Sequence, residues 1–154
     1  MNNKQSLLAS LEQSRERVLE LLNSLGAQQT KVPYLPGINP PVWEVGHAAF
    51  FFFERFILQN LDKAPSYNPA LDDVWDSFEL AHEDRWQEGL FPDQPDTLRY
   101  FDDTFNKVKQ RIETKALTDS DLYLYKYAIF HLNMHIESMV WARQSLSYAP
   151  PPYS

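Results

Sequence analysis

Two histidines near the C-terminal end of the chain, His131 and His135, stand four residues apart. On a helix that spacing stacks them one turn apart on the same face. Two neutral imidazole nitrogens so arranged can grip a metal ion at about 2.0–2.1 Å. A helix is what the surrounding residues specify. No Gly or Pro occurs between 119 and 147, and Leu124, Ala128, Leu132, Ile136, Met139 and Ala142 recur at helical spacing. A histidine pair on a helix face is equally at home hydrogen-bonded in a core, so the pattern gains meaning only from what can join it. His47 is the candidate third donor. It shares an apolar stripe with Trp43, Phe50, Phe51 and Glu54, which points it inward, and Gly46 beside it leaves room for another backbone or a cofactor. His82, the fourth histidine, sits among Glu83, Asp84 and Arg85 and reads as solvated.

Composition limits what these residues can do. There is no Cys, so disulfides, thiolate ligands and a Cys nucleophile are all excluded, and a metal would be held by His, carboxylate or water. The net charge is −7 with no Lys/Arg block, which argues against a phosphate-tracking surface and hence against nucleic acid as a partner. The N-terminus has no charged-then-apolar leader pattern, and the apolar run 48–53 is far too short to cross a bilayer. A soluble, cytoplasmic protein without a membrane partner is expected. With 154 residues and 14% aromatics, the chain is long enough for one domain with a real core.

The periodicity supplies the elements that must position the histidines. A first helix is expected over about 5–25, with Leu7, Leu11, Val18, Leu22 and Leu25 as its apolar stripe and Gly26 as its stop. Residues 31–41, rich in proline, form a rigid loop, and Pro40-Pro41 opens a second helix that runs to about 60. The stretch 61–94 is irregular, with a short helical piece near 71–78. A third helix follows to Thr114, with Leu98, Phe101, Phe105, Val108 and Ile112 as its core face. Thr118-Asp119-Ser120-Asp121 caps the last helix, and the prolines from 150 end it. The expected fold is all-α: a four-helix bundle over 1–148, with a long crossover between helices 2 and 3 and a Pro-rich extension at 149–154.

Two motifs together resemble a known family. Trp43-Glu44-Val45-Gly46-His47-Ala48-Ala49-Phe50-Phe51-Phe52-Phe53-Glu54 is similar to a signature of the DinB-like bundle found at the N-terminus of ergothioneine-type sulfoxide synthases. His131-Leu132-Asn133-Met134-His135-Ile136-Glu137-Ser138-Met139, followed by Arg143-Gln144-Ser145-Leu146-Ser147-Tyr148, resembles the last helix of the same domain and its exit. The resemblance covers nearly the whole chain in order and spacing. It implies a DinB-like fold and a non-haem iron(II) site with His47, His131 and His135 as ligands. Such a ligand set also suits Zn(II), Ni(II) or Co(II). The chain departs from the family at Leu132, where many members carry an acid, and at Ser147, where glycine is usual. No counterpart of the synthases' larger catalytic domain is expected within these 154 residues.

Other residues take roles around that site. Glu54, two α-helical turns from His47, is expected either to orient an imidazole or to pair with an arginine such as Arg143. Glu137 lies about 200° around the helix from His135 and is expected to be a buried structural acid rather than a ligand. Tyr127, one turn before His131, is the candidate catalytic residue, with core packing as its competing role. Three readings of function remain open on the sequence. One is a metal-binding module, a stand-alone paralogue of the synthase domain, acting on a small thiol with dioxygen. The second is a metal-dependent small-thiol transferase or hydrolase in which the metal is a Lewis acid. The third is a non-catalytic bundle that dimerises through its aromatic faces. A homodimer or a separate catalytic-domain partner is compatible with the first.

Overall fold

The computed structural model describes residues 3–152 and is all-helical throughout its regular elements. Met1 and Asn2 at one end of the expected domain, and Tyr153 and Ser154 at the end of the Pro-rich extension, lie outside the described residues. Helix α1 is Asn3–Asn23, and α2 is Pro41–Ala48. Without a break α2 passes into a π-helical segment, Ala49–Gln59, and then a final turn, α3, Asn60–Asp62. A short turn at Pro69–Leu71, the one-turn α4 at Asp72–Trp75 and a 3₁₀ turn at His82–Trp86 occupy the connection. Two long helices complete the chain: α5, Gln94–Thr114, and α6, Asp119–Ser145.

Local chemistry sets these boundaries. Asp93 accepts a hydrogen bond from the Asp96 N–H and Thr118 one from the Asp121 N–H, each satisfying a free donor at the start of α5 and α6. Lys63, in the left-handed region at φ 54°, stops α3. At the end of α6, the Tyr148 N–H reaches the Arg143 carbonyl and the Ser147 N–H reaches that of Gln144, with Ser147 at φ 56°. These two bonds make a Schellman motif whose left-handed position is filled by serine instead of glycine.

Pairing partners fix the directions of the rods. Ser14 bonds Asn133, and Arg143 reaches the Leu21 carbonyl, so α1 and α6 run parallel. Arg15 pairs with Asp102 and Lys109 with Glu12, so α5 runs antiparallel to α1. Phe53 packs on Phe101 and Arg111 binds Asp62, so α5 runs the same way as α2 and its π-helical continuation. Two neighbouring parallel rods cannot be joined by a tight turn, which is why residues 63–93 must travel back along the molecule. The interior is filled by Leu11, Leu22, Phe52, Phe53, Phe101, Phe105, Ile112, Tyr125 and Leu132, all 2% exposed or less. Each large apolar side chain so buried contributes on the order of 1.5–3 kcal/mol. Among the described residues, no helix is long and apolar enough to cross a membrane.

Candidate metal centre

The site is assembled between α2, the start of the π-helical segment and the middle of α6. His47, His131 and His135 all border one open cavity of about 340 Å³, which Trp43, Phe51, Phe52, Phe56, Phe78, Arg85 and Tyr127 also help to line. His47 and His135 face each other edge-on with ring centroids 4.9 Å apart. Phe52 wedges against both histidines of α6, 4.9 Å from His131 and 5.3 Å from His135. The three histidines are thus brought to one place. Among the described residues, however, no three His, Asp or Glu side chains are gathered tightly enough to form a ready coordination sphere.

Two of the imidazoles are held in a defined tautomer. His47 Nδ1 lies 2.7 Å from the Trp75 carbonyl oxygen. A carbonyl can only accept, so Nδ1 carries the proton and Nε2 keeps its lone pair. His135 Nδ1 lies 2.7 Å from Oε1 of Glu44, a carboxylate that is 2% exposed, so Nδ1 carries a proton and Nε2 is the nitrogen that holds the lone pair in the neutral ring. Imidazoles that ligate metals are commonly anchored by such carbonyl or carboxylate partners. The third differs: His131 Nδ1 is buried with no hydrogen-bond partner, a donor-capable nitrogen left for a ligand or water to satisfy.

Burial favours the neutral form of two of the rings, His47 and His131. Burial, reinforced by the neighbouring His135, pushes His47 down to about 4. Burial and then His135 also lower His131. Neutral imidazole is the form that offers a lone pair. The donor set therefore fits a borderline divalent transition metal, with His47 and His135 presenting Nε2 and His131 carrying the orphaned nitrogen.

Gly46 and Trp75 hold His47 in place. A Cβ on Gly46 would fall 2.3 Å from Cζ3 of Trp75, so only glycine lets this ring lie against α2. Gly46 was expected to make room for another backbone or a cofactor; what fills the space is the indole ring of Trp75. On its other side, Trp43 stacks on His47 at 4.8 Å and donates from Nε1 to the Val74 carbonyl. The residues around α4, irregular in sequence, thus supply both a wall and a hydrogen-bond acceptor.

Other expected roles fall differently. Glu54 is buried but faces away from the histidines: it accepts from the Tyr67 N–H, the Tyr100 hydroxyl and Gln59. Burial, then the bond to Glu54, raises Tyr100 well above the usual phenol range. The reason for the changed facing is the winding. Seven residues make two turns of an α-helix, but the interval from His47 to Glu54 falls short of two turns because most of it lies in the wider i→i+5 spiral that Ala49–Gln59 adopts. Arg143 is not its partner either, since it binds the Leu21 and Ala149 carbonyls and Ser24. Glu137 is exposed, not buried, because the α6 face that carries it turns outward. His82 is half-buried rather than solvated; its Nε2 bonds the Ile38 carbonyl and its ring meets Tyr34 and Trp86, pinning the proline-rich loop. Tyr127 lies at the cavity, its ring 4.4 Å from His131 and 5.3 Å from Phe56.

Sequence reasoning did not single out two site residues. Glu44 is one α-helical turn before His47, an interval that could have marked it. Arg85 was read only as a charged neighbour of His82. It is 9% exposed and lies over the Trp43 ring at 4.0 Å; it bonds Asn39 and the Ser77 and Leu80 carbonyls, and its Nε has no partner. Among the described residues no carboxylate lies within ion-pair distance of it; burial lowers its pKa, and the charge of nearby Glu44 partly offsets that. A buried guanidinium without a contacting anion is costly, and it borders the histidine cavity.

An all-helical chain with paired and capped rods around an inward histidine cluster is a helical-bundle protein. The chain belongs to the DinB superfamily, whose family model matches residues 10–139. A sequence comparison with curated proteins gives no match.

Proposed function

We propose that this DinB-superfamily chain is a four-helix-bundle module that binds one divalent transition metal through His47, His131 and His135, and takes a small anionic ligand, such as a thiolate, beside it. The observation that carries the reading is the pair of anchored tautomers: the Trp75 carbonyl and the Glu44 carboxylate each hold an Nδ1–H and leave Nε2 of His47 and of His135 as the lone-pair nitrogen. Iron(II) is the first candidate on the resemblance to the sulfoxide-synthase domain, with Zn(II) and Ni(II) as substitutes the ligand set also suits. A bound metal would supply Lewis acidity and, as iron, access to dioxygen chemistry. Arg85 serves the ligand: its guanidinium borders the cavity, no carboxylate contacts it, and its Nε has no hydrogen-bond partner. Phe51, Phe52 and Phe56 make that side of the cavity apolar.

Metal binding by calorimetry and elemental analysis tests this, using anaerobic iron(II) and, separately, zinc. Wild type is expected to take up close to one metal per chain, and His135→Ala to lose it. Glu44→Gln is expected to weaken binding by about 10–100-fold, because the imidazole loses its orienting carboxylate. Glu54→Gln should leave the affinity unchanged while lowering thermal stability, since Glu54 serves Tyr100 and Tyr67. The proposal fails if wild type binds neither metal, or if Glu54→Gln weakens binding and Glu44→Gln does not.

A further inference from the structure

Helix α6 carries a second feature that the metal reading does not use. Along one outward face stand Tyr123, Phe130, Met134 and Trp141, exposed by 67%, 65%, 61% and 63%. Their spacing of seven, four and seven residues is that of a continuous helix seam. A stripe of large apolar side chains on a water-facing helix marks a surface that is covered in use.

The order of residues along the stripe indicates what covers it. Tyr123 and Trp141 lie nine residues to either side of the level of Leu132, and Phe130 and Met134 lie two to either side. Lys126 and Glu137 flank the same edge of the stripe, six residues before and five after that level. Both are exposed, and among the described residues neither has an ion-pair partner. In an antiparallel helix pair, residues on the same edge of each helix meet across the two-fold axis. A second α6 laid antiparallel on the first would therefore set Tyr123 against Trp141 and Phe130 against Met134, and would place Lys126 beside Glu137 twice. The pattern is complementary to itself, as an isologous interface requires.

We infer that the chain forms a two-fold homodimer by antiparallel pairing of α6 through this stripe. The area is sufficient. Large side chains that bury roughly 150–250 Å² in full, here about two-thirds exposed, contribute roughly 400–650 Å² per copy, so the pair approaches the ~1,000 Å² a specific interface needs before flanking residues are added. The local charge is balanced despite the net −7 of the chain, because the stripe's edge holds one base and one acid. The interface also adjoins the histidine cavity: Tyr123 packs on Tyr127 at 6.2 Å, and Tyr127 lines the cavity. Pairing thus narrows the mouth on that side with residues from the partner copy. The inference rests on the stripe and stands whether or not the histidines bind metal.

Sedimentation equilibrium of the chain at micromolar concentration, with and without chelator, is the test. Wild type is expected to be dimeric in both. Phe130→Asp is expected to weaken association by at least about 30-fold, as for a central anchor, with helical content and melting of the monomer unchanged because the side chain is exposed. Lys126→Glu should weaken it by about ten-fold, and Lys126→Glu/Glu137→Lys should restore it. A monomeric wild type overturns the proposal, as does a dimer indifferent to Phe130→Asp. A dimer that the double exchange fails to restore overturns the antiparallel register.

Discussion

A single methyl group at Gly46 tests the arrangement that orients His47. The added Cβ would meet Cζ3, Cη2 and Cε3 of Trp75 at 2.3, 2.4 and 2.7 Å, about 1 Å short of the ordinary contact range that begins at 3.4 Å. Trp75 has little freedom to retreat. It is 2% exposed, with Phe91 at 5.7 Å and Tyr100 at 6.3 Å between ring centroids, and its carbonyl holds His47. Overpacking of a filled core costs about 1–3 kcal/mol, and a clash with a hemmed-in ring belongs at the upper end. Alanine returns about 1 kcal/mol of helix propensity. The net expectation for Gly46→Ala is a loss of about 2 kcal/mol, or roughly 4–8 °C in Tm for a domain of this size. Thermal denaturation of the metal-free protein reads it directly. Trimming the ring in the double variant Gly46→Ala/Trp75→Leu should make the two substitutions non-additive, with the alanine costing less once the indole is gone. Metal affinity should fall in the single variant because the Trp75 carbonyl moves with its ring. A Tm raised by the helix-propensity gain alone would refute the reasoning, since alanine would then fit beside an indole that is not pinned.

Two further outcomes follow from conformations and charges already described. Ser147→Gly should stabilise the protein by about 0.5–1 kcal/mol, because serine at φ 56° bears a left-handed cost that glycine escapes, less the glycine's greater entropy when unfolded. A melting curve shifted downward would count against it. Chelator-treated protein should lose stability as pH falls from 6.5 to about 4. Over that window the unfolded His47 takes up a proton that the folded one, lowered to about 4 by burial, refuses; the unfolded state binds more protons and gains. The full effect is on the order of 3 kcal/mol. It would be read as the difference in pH slope of urea stability between wild type and His47→Gln, and equal slopes would refute it.

The inward helices and their caps could be read from the chain because they depend on local chemistry. The Gly- and Pro-free run with Thr118 before it is α6, and Asp93 before an apolar-periodic stretch is α5. His47, His131 and His135 could be brought to one cavity on paper because each lies on an α-helical face whose period is known. Glu54 could not be placed in the same way. Four consecutive phenylalanines hide the change from 3.6-residue winding to the wider spiral, and an acid assigned by α-helical arithmetic lands on the far side of the rod. Arg85 and the Trp75 carbonyl were invisible for another reason. They come from the irregular connection, where no periodicity says which side chain turns inward. Glu44 needed no new geometry, only the question of which buried carboxylate could reach across to α6.

The π-helical segment bears on how this chain should be aligned with its relatives. A stretch wound at more residues per turn is equivalent, in an alignment, to residues inserted into an α-helix without a loop to absorb them. Positions through Ala48 can be matched to an α-helical relative by simple counting, but those of Ala49–Gln59 fall progressively out of phase with it, and Asn60–Asp62, on the same rod, carry the accumulated offset. A role transferred across this stretch by sequence position alone passes to a neighbouring residue on another face. Removing one residue there would shift every face from that point onward, carrying Phe52 off the histidines and Glu54 away from Tyr100, with no change in the amino acids that remain.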